Sequence, residues 1–283
     1  MTEPGPNIRR RQLGRELRRL REQAGMTIDQ AVVVSGLSNP TISRIENGKQ
    51  TIKPKNVRLL CQAYGVGVPL VDTLVRLAEE SEDRGWWVAY SDTVPNWFEQ
   101  YVGLETDAAE ILSFETEYVP GLLQTAEYTR AITKASWPNQ SEADLARVVE
   151  LRQSRQRRLD GPNPPELHMV LGEAVARWLI GSPTVMREQL RHLIDMNERS
   201  NLTIQILPFT AGAHPGLSGP FAMLRFPNDD EVSTVYVEFD NGSLYPPRRQ
   251  DIERYTWIFR RLQELALPVE DTNSLLSTLA AEL

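Results

Sequence analysis

The sequence predicts an α+β protein in two parts: an all-α head of five helices and a larger body of mixed α and β structure. Three observations predict it. Apolar residues recur at helical spacing through the first 80 residues. Beyond residue 104, alternating runs such as ILSFETEYV and LTIQIL are interspersed with helical stretches. Charge divides with the pattern: residues 1–80 carry 13 Lys+Arg against 8 Asp+Glu (+5), and residues 81–283 carry 18 against 30 (−12), which together make the −7 of the chain. A basic head on an acidic body suits a nucleic-acid-binding domain joined to something else. A length of 283 residues suits about two domains. The expected divisions are a flexible tail (1–7), the head (8–80), an aromatic connector (81–103) and the body (104–283).

Within the head, the first helix is expected over Ile8–Ala24. Leu13, Leu17, Leu20 and Ala24 form its apolar stripe, with Arg9, Arg10, Arg11, Arg15, Arg18, Arg19 and Arg21 on the other faces. Thr27 and Gln30 have the spacing of a capping box at the start of a second helix, to which Ala31, Val32 and Val34 give apolar faces. Gly36 breaks that helix where the bend needs positive φ. Ser38 and Asn39 can cap a third helix, with Pro40 in its first turn, where a missing N–H costs nothing. Ile42 and Ile45 face inward; Asn39, Thr41, Ser43, Arg44 and Asn47 face out, and Gly48 ends the helix. A basic loop, Lys49–Lys55, leads to a fourth helix carrying Val57, Leu60, Cys61 and Tyr64, and a fifth over Pro69–Glu80 carries Leu70, Leu74, Leu77 and Ala78. The Gly65-Val66-Gly67 between them follows a helix and lacks a third glycine, so it is no dinucleotide fingerprint.

Gly36 at the turn, Ile42 and Ile45 beneath it and the run Ser43-Arg44-Ile45-Glu46-Asn47-Gly48 resemble the helix-turn-helix of the lambda-repressor-like (XRE) family. Two positions depart: Ile28 stands where the family often has Gln, removing a phosphate contact, and Val32 where it often has Ala. The resemblance implies that Ser38, Asn39, Thr41, Ser43, Arg44 and Asn47 face the bases of double-stranded DNA. Arg44 could take a guanine in a bidentate contact, and Asn39 or Asn47 could read adenine. Arg18, Arg21, Thr27, Lys49, Thr51, Lys53 and Lys55 are the expected phosphate contacts. It also implies an Arg21–Glu46 pair tying helix 1 to the recognition helix, and a homodimer on a palindromic operator.

Past the connector, crowded with Trp86, Trp87, Tyr90, Trp97, Phe98 and Tyr101, the body is read in order. A helix is expected over Leu104–Ala109, a strand over Ile111–Val119 and a helix over Ala126–Ala135. Ser141 and Asp144 cap a helix reaching Leu159, with Leu145, Val148, Val149 and Arg152 on one face, and Gly161–Pro165 stops it. A strand over His168–Leu171, a helix over Glu173–Leu179 and a helix from Ser182-Pro183 to Arg199 follow. Leu202–Leu207 is a strand, and Phe221–Phe226 with Val232–Phe239 an antiparallel pair. Arg249–Ala266 is a helix with Ile252, Tyr255, Ile258, Phe259 and Leu262 on its apolar face, and Asp271 caps a last short helix.

Trp86-Trp87, Gly103-Leu104-Glu105, the run VPGLLQT (119–125), the run LRQSRQ (151–156), Leu207-Pro208-Phe209, His214-Pro215-Gly216 and Gly219-Pro220-Phe221 resemble the domain that follows such a head in many actinobacterial regulators, including WhiJ-type and antitoxin-like proteins. That resemblance implies a repressor whose body answers to a small protein encoded by a neighbouring gene; a small-molecule effector is the alternative. Trp86, Trp87, Trp97 and His214 are the candidate partner or effector residues. The Gly/Pro-rich loop of His214 reads equally as a binding loop or a rigid connection.

An enzyme tethered to DNA is the competing class, and little supports it. His168, His192 and His214 are scattered without metal-ligand spacing, and Ser218 lacks the context of a nucleophile elbow. No catalytic residue, metal or cofactor is expected. Lone Cys61 lies on an apolar helix face and reads as an inert thiol. No apolar run approaches the roughly 18 residues of a membrane span, and MTEPGPNIRRRQ has no signal-peptide core. A cytoplasmic protein without membrane contact is expected.

Overall fold

The computed structural model describes residues 6–80, 90, 96–227, 233–246 and 248–283. The chain divides into two compact units, Met1–Val88 and Ala89–Leu283.

The head contains α1 (Pro6–Gln23), α2 (Ile28–Ser35), α3 (Asn39–Glu46), α4 (Pro54–Ala63) and α5 (Val68–Glu80). Leu13, Leu17, Ala31, Ile42, Ile45, Ile52, Val57, Leu60 and Leu74 close its core. Two expected apolar residues are outside it. Ala24 is exposed because α1 stops at Gln23, with Gly25 at φ 66° just beyond. Val34 is exposed because the inward stripe of α2 is Ile28, Ala31, Val32 and Ser35, and Val34 falls off that stripe. Ile28, lacking the phosphate-contacting amide, packs at the edge of the core instead. Burial pushes the Cys61 thiol up to about 11, so it is a packing residue.

The body is built on six strands: β1 (Glu110–Glu115), β2 (Glu166–Gly172), β3 (Leu202–Leu207), β4 (Phe221–Arg225), β5 (Thr234–Phe239) and β6 (Gly242–Leu244). Their order is β3-β2-β1-β4-β5-β6, parallel across β1, β2 and β3 and antiparallel from β1 through β4 and β5 to β6. The parallel part requires crossovers. Helices α7 (Ala126–Ser136) and α8 (Glu142–Gln156) join β1 to β2; α9 (Glu173–Arg177) and α10 (Pro183–Met196) join β2 to β3. Preceding the sheet is α6 (Asn96–Asp107), and α11 (Arg249–Leu265) and α12 (Val269–Glu282) follow it.

Alternation along the strands buries both faces. Ile111, Met169, Ile204 and Leu224 share one core with residues of α6, α7, α10 and α12. Leu112, Phe114, Val170 and Met223 share the other with Ile258, Phe259 and Leu262 of α11. Four sequence expectations shift. The first body helix begins at Asn96, because Trp97, Tyr101, Leu104 and Ala108 make one continuous helical stripe. β1 stops at Glu115, and β6 was not anticipated. The last helix is fourteen residues long and Asp271 lies in its first turn, two residues inside Val269, so it does not cap it.

Candidate nucleic-acid interface

The recognition helix α3 is held by three separate ties. Ile42 and Ile45 are buried beneath it. At its end Glu46 accepts two bonds from Arg21 of α1, Nε–Oε1 at 2.7 Å and Nη2–Oε2 at 2.8 Å, a buried fork-to-fork pair. At its start the Asn39 amide donates to Asp29 of α2 at 2.6 Å. α1 can approach this closely because of Gly14: a Cβ there would run into the Ile45 carbonyl oxygen. Sequence reading missed Gly14, although a glycine inside a strong helical pattern is itself the signal.

The turn has the geometry that its residues promise. Thr27 and Gln30 form a reciprocal capping box. Gly36 takes φ 67° at the end of α2. Ser38 caps α3, accepting from the Thr41 N–H, and its hydroxyl also meets that of Thr41 at 2.8 Å. Asn47 folds its amide back onto the Ser43 carbonyl at 2.7 Å. Ser38, Asn39, Arg44 and Asn47 are exposed and Thr41 and Ser43 half-buried, so all six lie on the accessible side. They differ in readiness. The Asn39 amide nitrogen gives one N–H to Asp29, which leaves it a second N–H and its carbonyl oxygen; that of Asn47 turns to Ser43, which leaves its carbonyl oxygen. The Arg44 side chain makes no hydrogen bond or ion pair among the described residues and presents its whole fork.

The expected phosphate residues separate in the same way. Lys49, Thr51, Lys53 and Lys55 are exposed around buried Ile52, which pins their loop, and Lys53 stands at the N-terminus of α4, where the helix dipole also favours an anion. Thr27 is exposed at the N-terminus of α2. Arg18 is exposed in an i,i+4 pair with Glu22, 2.9 Å apart. Arg21 leaves the phosphate set: it is 7% exposed, with Glu46 and the Met26 carbonyl on its guanidinium. Its role is to hold α3.

In the body, three of the motif segments, 103–105, 119–125 and 151–156, converge on one another. Arg155 of α8 makes a buried bidentate pair with Glu105 of α6, at 2.7 and 2.6 Å. Its guanidinium also lies over the rings of Phe98 and Tyr101, 5.2 and 5.7 Å from their centroids. Gln156 donates to the carbonyls of Gly121 and Gln124, and Gln189 of α10 clasps Leu123 and Thr125. Gln124, buried, donates to the Val119 carbonyl. The run VPGLLQT is therefore a buried knot that fixes the start of α7, which Thr125 caps. The Arg152 guanidinium lies close over Gly121, so that a Cβ there would sit 2.6 Å from its Nη1 and push it aside.

Of the candidate partner or effector residues, Trp86 and Trp87 lie outside the described residues. Trp97 packs on α6 against the body core, edge-on to Phe98 at 5.9 Å, so it is no open connector. His214 also turns inward: its ring meets Phe114 edge-on at 5.8 Å and Gly216 lies tight beside it, so the loop closes over the α11 face of the sheet. Burial lowers the His214 pKa, and Nδ1 has no hydrogen-bond partner among the described residues.

Comparison with known proteins divides the chain at similar places. A model described as a helix-turn-helix domain matches residues 12–74, and a model described as a domain of unknown function (DUF5753) matches residues 98–278. Over 54 residues, 19% of the chain, it is 48% identical to the uncharacterized HTH-type transcriptional regulator RghRB of Bacillus subtilis (strain 168), covering 39% of that protein. It is 45% identical over 54 residues to the HTH-type transcriptional repressor RghR of the same organism, covering 40% of it. The chain thus spans about two fifths of the length of the curated relatives it matches.

Proposed function

The chain belongs to the DUF5753 family, whose model covers residues 98–278, and from that body behind a helix-turn-helix head we propose a sequence-specific DNA-binding transcriptional repressor. The observation that carries this reading is α3 itself. It is a helix fixed at both ends, by Asn39–Asp29 and Arg21–Glu46, that offers Arg44 to the outside with no competing partner among the described residues. A helix so held can enter a major groove, with Arg44 on a guanine and Lys49, Lys53 and Lys55 on the flanking phosphates. The similarity to a transcriptional repressor in the head supports the sign of regulation.

On this reading the body binds and does not catalyse. It pairs two chains on a palindromic operator in the cytoplasm and receives a signal from a small protein encoded next door, in the antitoxin-like manner. A second reading, a small-molecule effector, is favoured by an open cavity in the body of about 370 Å³. The test is selection of bound duplexes from a random library by the full chain. The expected product is an inverted repeat with half-sites about one helical turn apart, bound more weakly as salt rises. Recovery of unenriched sequence would overturn the proposal, and a single half-site bound by a monomer would remove the dimer from it.

A further inference from the structure

Arg152 is the one arginine of the buried body cluster with no hydrogen-bond or ion-pair partner among the described residues. It stands on α8 one turn before Arg155, but Arg155 has taken Glu105, and no carboxylate within ion-pair distance of Arg152 is present among the described residues. Burial pushes its pKa down to about 10 and Arg155 adds to the effect, while Tyr118 and the more distant charges of Glu238 and Glu105 oppose it, so it remains a cation at neutral pH. A half-buried, unmatched guanidinium is costly unless something satisfies it.

That something has room. Arg152 lines the cavity of about 370 Å³ described above, bounded by the loop after β1, by α7 and by the loop after α9. The size lies toward the lower end of the ~300–1,000 Å³ typical of small-ligand sites. Its other linings are of two kinds. Trp137 and Trp178, 56% and 57% exposed, both line it and offer it two large apolar surfaces. Glu117 and Glu238 supply negative charge. One Glu238 oxygen accepts from the Tyr236 hydroxyl at 2.6 Å, which orients the carboxylate and leaves its other oxygen open.

We propose that this cavity binds a small zwitterion with an apolar side chain, a free amino acid or a close analogue. Its carboxylate lies on Arg152, its ammonium on Glu238 and Glu117, and its side chain against Trp137 and Trp178. A plain organic acid would leave the two glutamates opposed to it, and a plain amine would leave Arg152 unmatched; only a ligand with both charges satisfies all three groups. Gly121 leaves room for the guanidinium at this wall, since a Cβ there would push it aside. The inference deepens the small-molecule reading of the body, on which it rests for its regulatory consequence.

The test is calorimetric titration of the full chain with phenylalanine, tryptophan and leucine, then with N-acetylphenylalanine and phenylalaninamide, alongside operator binding. The free amino acids should bind, and each blocked form should bind at least about tenfold more weakly. Arg152→Gln and Glu238→Gln should each reduce binding by a similar factor. Glu238 is exposed, so its variant tests the site without burdening the core. The proposal is overturned if no free amino acid binds, or if Arg152→Gln binds as the parent does. It is also overturned if N-acetylphenylalanine matches phenylalanine, since the site would then read a peptide C-terminus. Loss of operator binding with intact amino-acid binding would sink the repressor reading and leave the cavity's ligand standing.

Discussion

Head and body each bury one bidentate Arg–Glu pair, and the two pairs have different surroundings. In the head, Arg21 and Glu46 close on each other at 2.7 and 2.8 Å, and a third donor goes to the Met26 carbonyl. In the body, Arg155 and Glu105 close at 2.7 and 2.6 Å, but two further arginines stand beside them. Arg158 is absorbed by the carbonyls of Glu105 and Ala108, at 2.6 and 2.5 Å. Arg152 is not absorbed. The same device therefore does two things. In the head it locks α3, and the charge proposed to meet DNA, Arg44, lies apart on the surface. In the body it completes a packed knot and leaves one charge over at the wall of a cavity.

The largest effects should come from breaking those pairs one at a time. Arg155→Ala leaves Glu105 buried without a partner, and Arg21→Ala does the same to Glu46; each should cost roughly 3–5 kcal/mol. Thermal unfolding of the full chain should show the first change in the transition of the body and the second in that of the head. If both variants lower the same transition equally, the two units are not independent and the comparison fails.

A second difference lies in the carboxylates outside the pairs. In the head, Arg19 holds Glu16 below the usual carboxylate range, through a hydrogen bond more than through charge. In the body, burial pushes Glu115 up to about 8, repulsion from Glu238 adds to this, and the Ser113 hydroxyl opposes it. A carboxyl raised in the folded state contributes stability that is full below its ordinary value of 4.5 and is lost as pH rises through about 8. The free energy of urea unfolding of the body should therefore fall between pH 5 and 9, by about 4 kcal/mol at most, and Glu115→Gln should flatten the fall. A slope unchanged in that variant would assign the pH dependence elsewhere.

How far the sequence reaches differs between the units for the same physical reasons. The head is made of local contacts. Its capping box, its left-handed Gly36 and its Ile42–Ile45 stripe each depend on neighbours a few residues away, so pattern alone finds them. The Arg21–Glu46 pair spans 25 residues and was reached by resemblance alone. Pattern also could not tell that burial would remove Arg21 from the DNA surface. In the body the strand runs were plain, with Leu202–Leu207 matched residue for residue, but β6 is three residues long and carries no alternation to detect. The cavity was hidden for a stronger reason. Glu117, Trp137, Arg152, Trp178 and Glu238 come from five separate places in the chain, and only the crossovers bring them together. The close approach of Gly121 to Arg152 was equally hidden, because that side chain comes from 31 positions away. Trp97 misled because it lies amid a crowd of aromatics, and crowding in sequence does not say whether a ring faces solvent or core.

The smallest effects test the head's own division of labour. Arg44 has an unengaged fork on the outer side of α3, whereas Lys53 is exposed at the N-terminus of α4, off the recognition helix. A fork that reads a base edge discriminates; an ammonium on a phosphate does not, because every sequence offers the same phosphates. Arg44→Ala should therefore lose roughly 1–3 kcal/mol on the operator, lose much less on random DNA, and relax the choice of base at one position per half-site. Lys53→Ala should cost less, weaken operator and random DNA alike, and reduce the slope of log affinity against log salt by about 1 per head. Both quantities come from one set of salt titrations on operator and random duplexes. If Arg44→Ala weakens both duplexes equally and lowers the salt slope as Lys53→Ala does, its fork lies on phosphate. Asn39 and Asn47, with their free carbonyl oxygens, would then be left to read the sequence, and an oxygen acceptor would select the amino group of adenine or cytosine in place of a guanine.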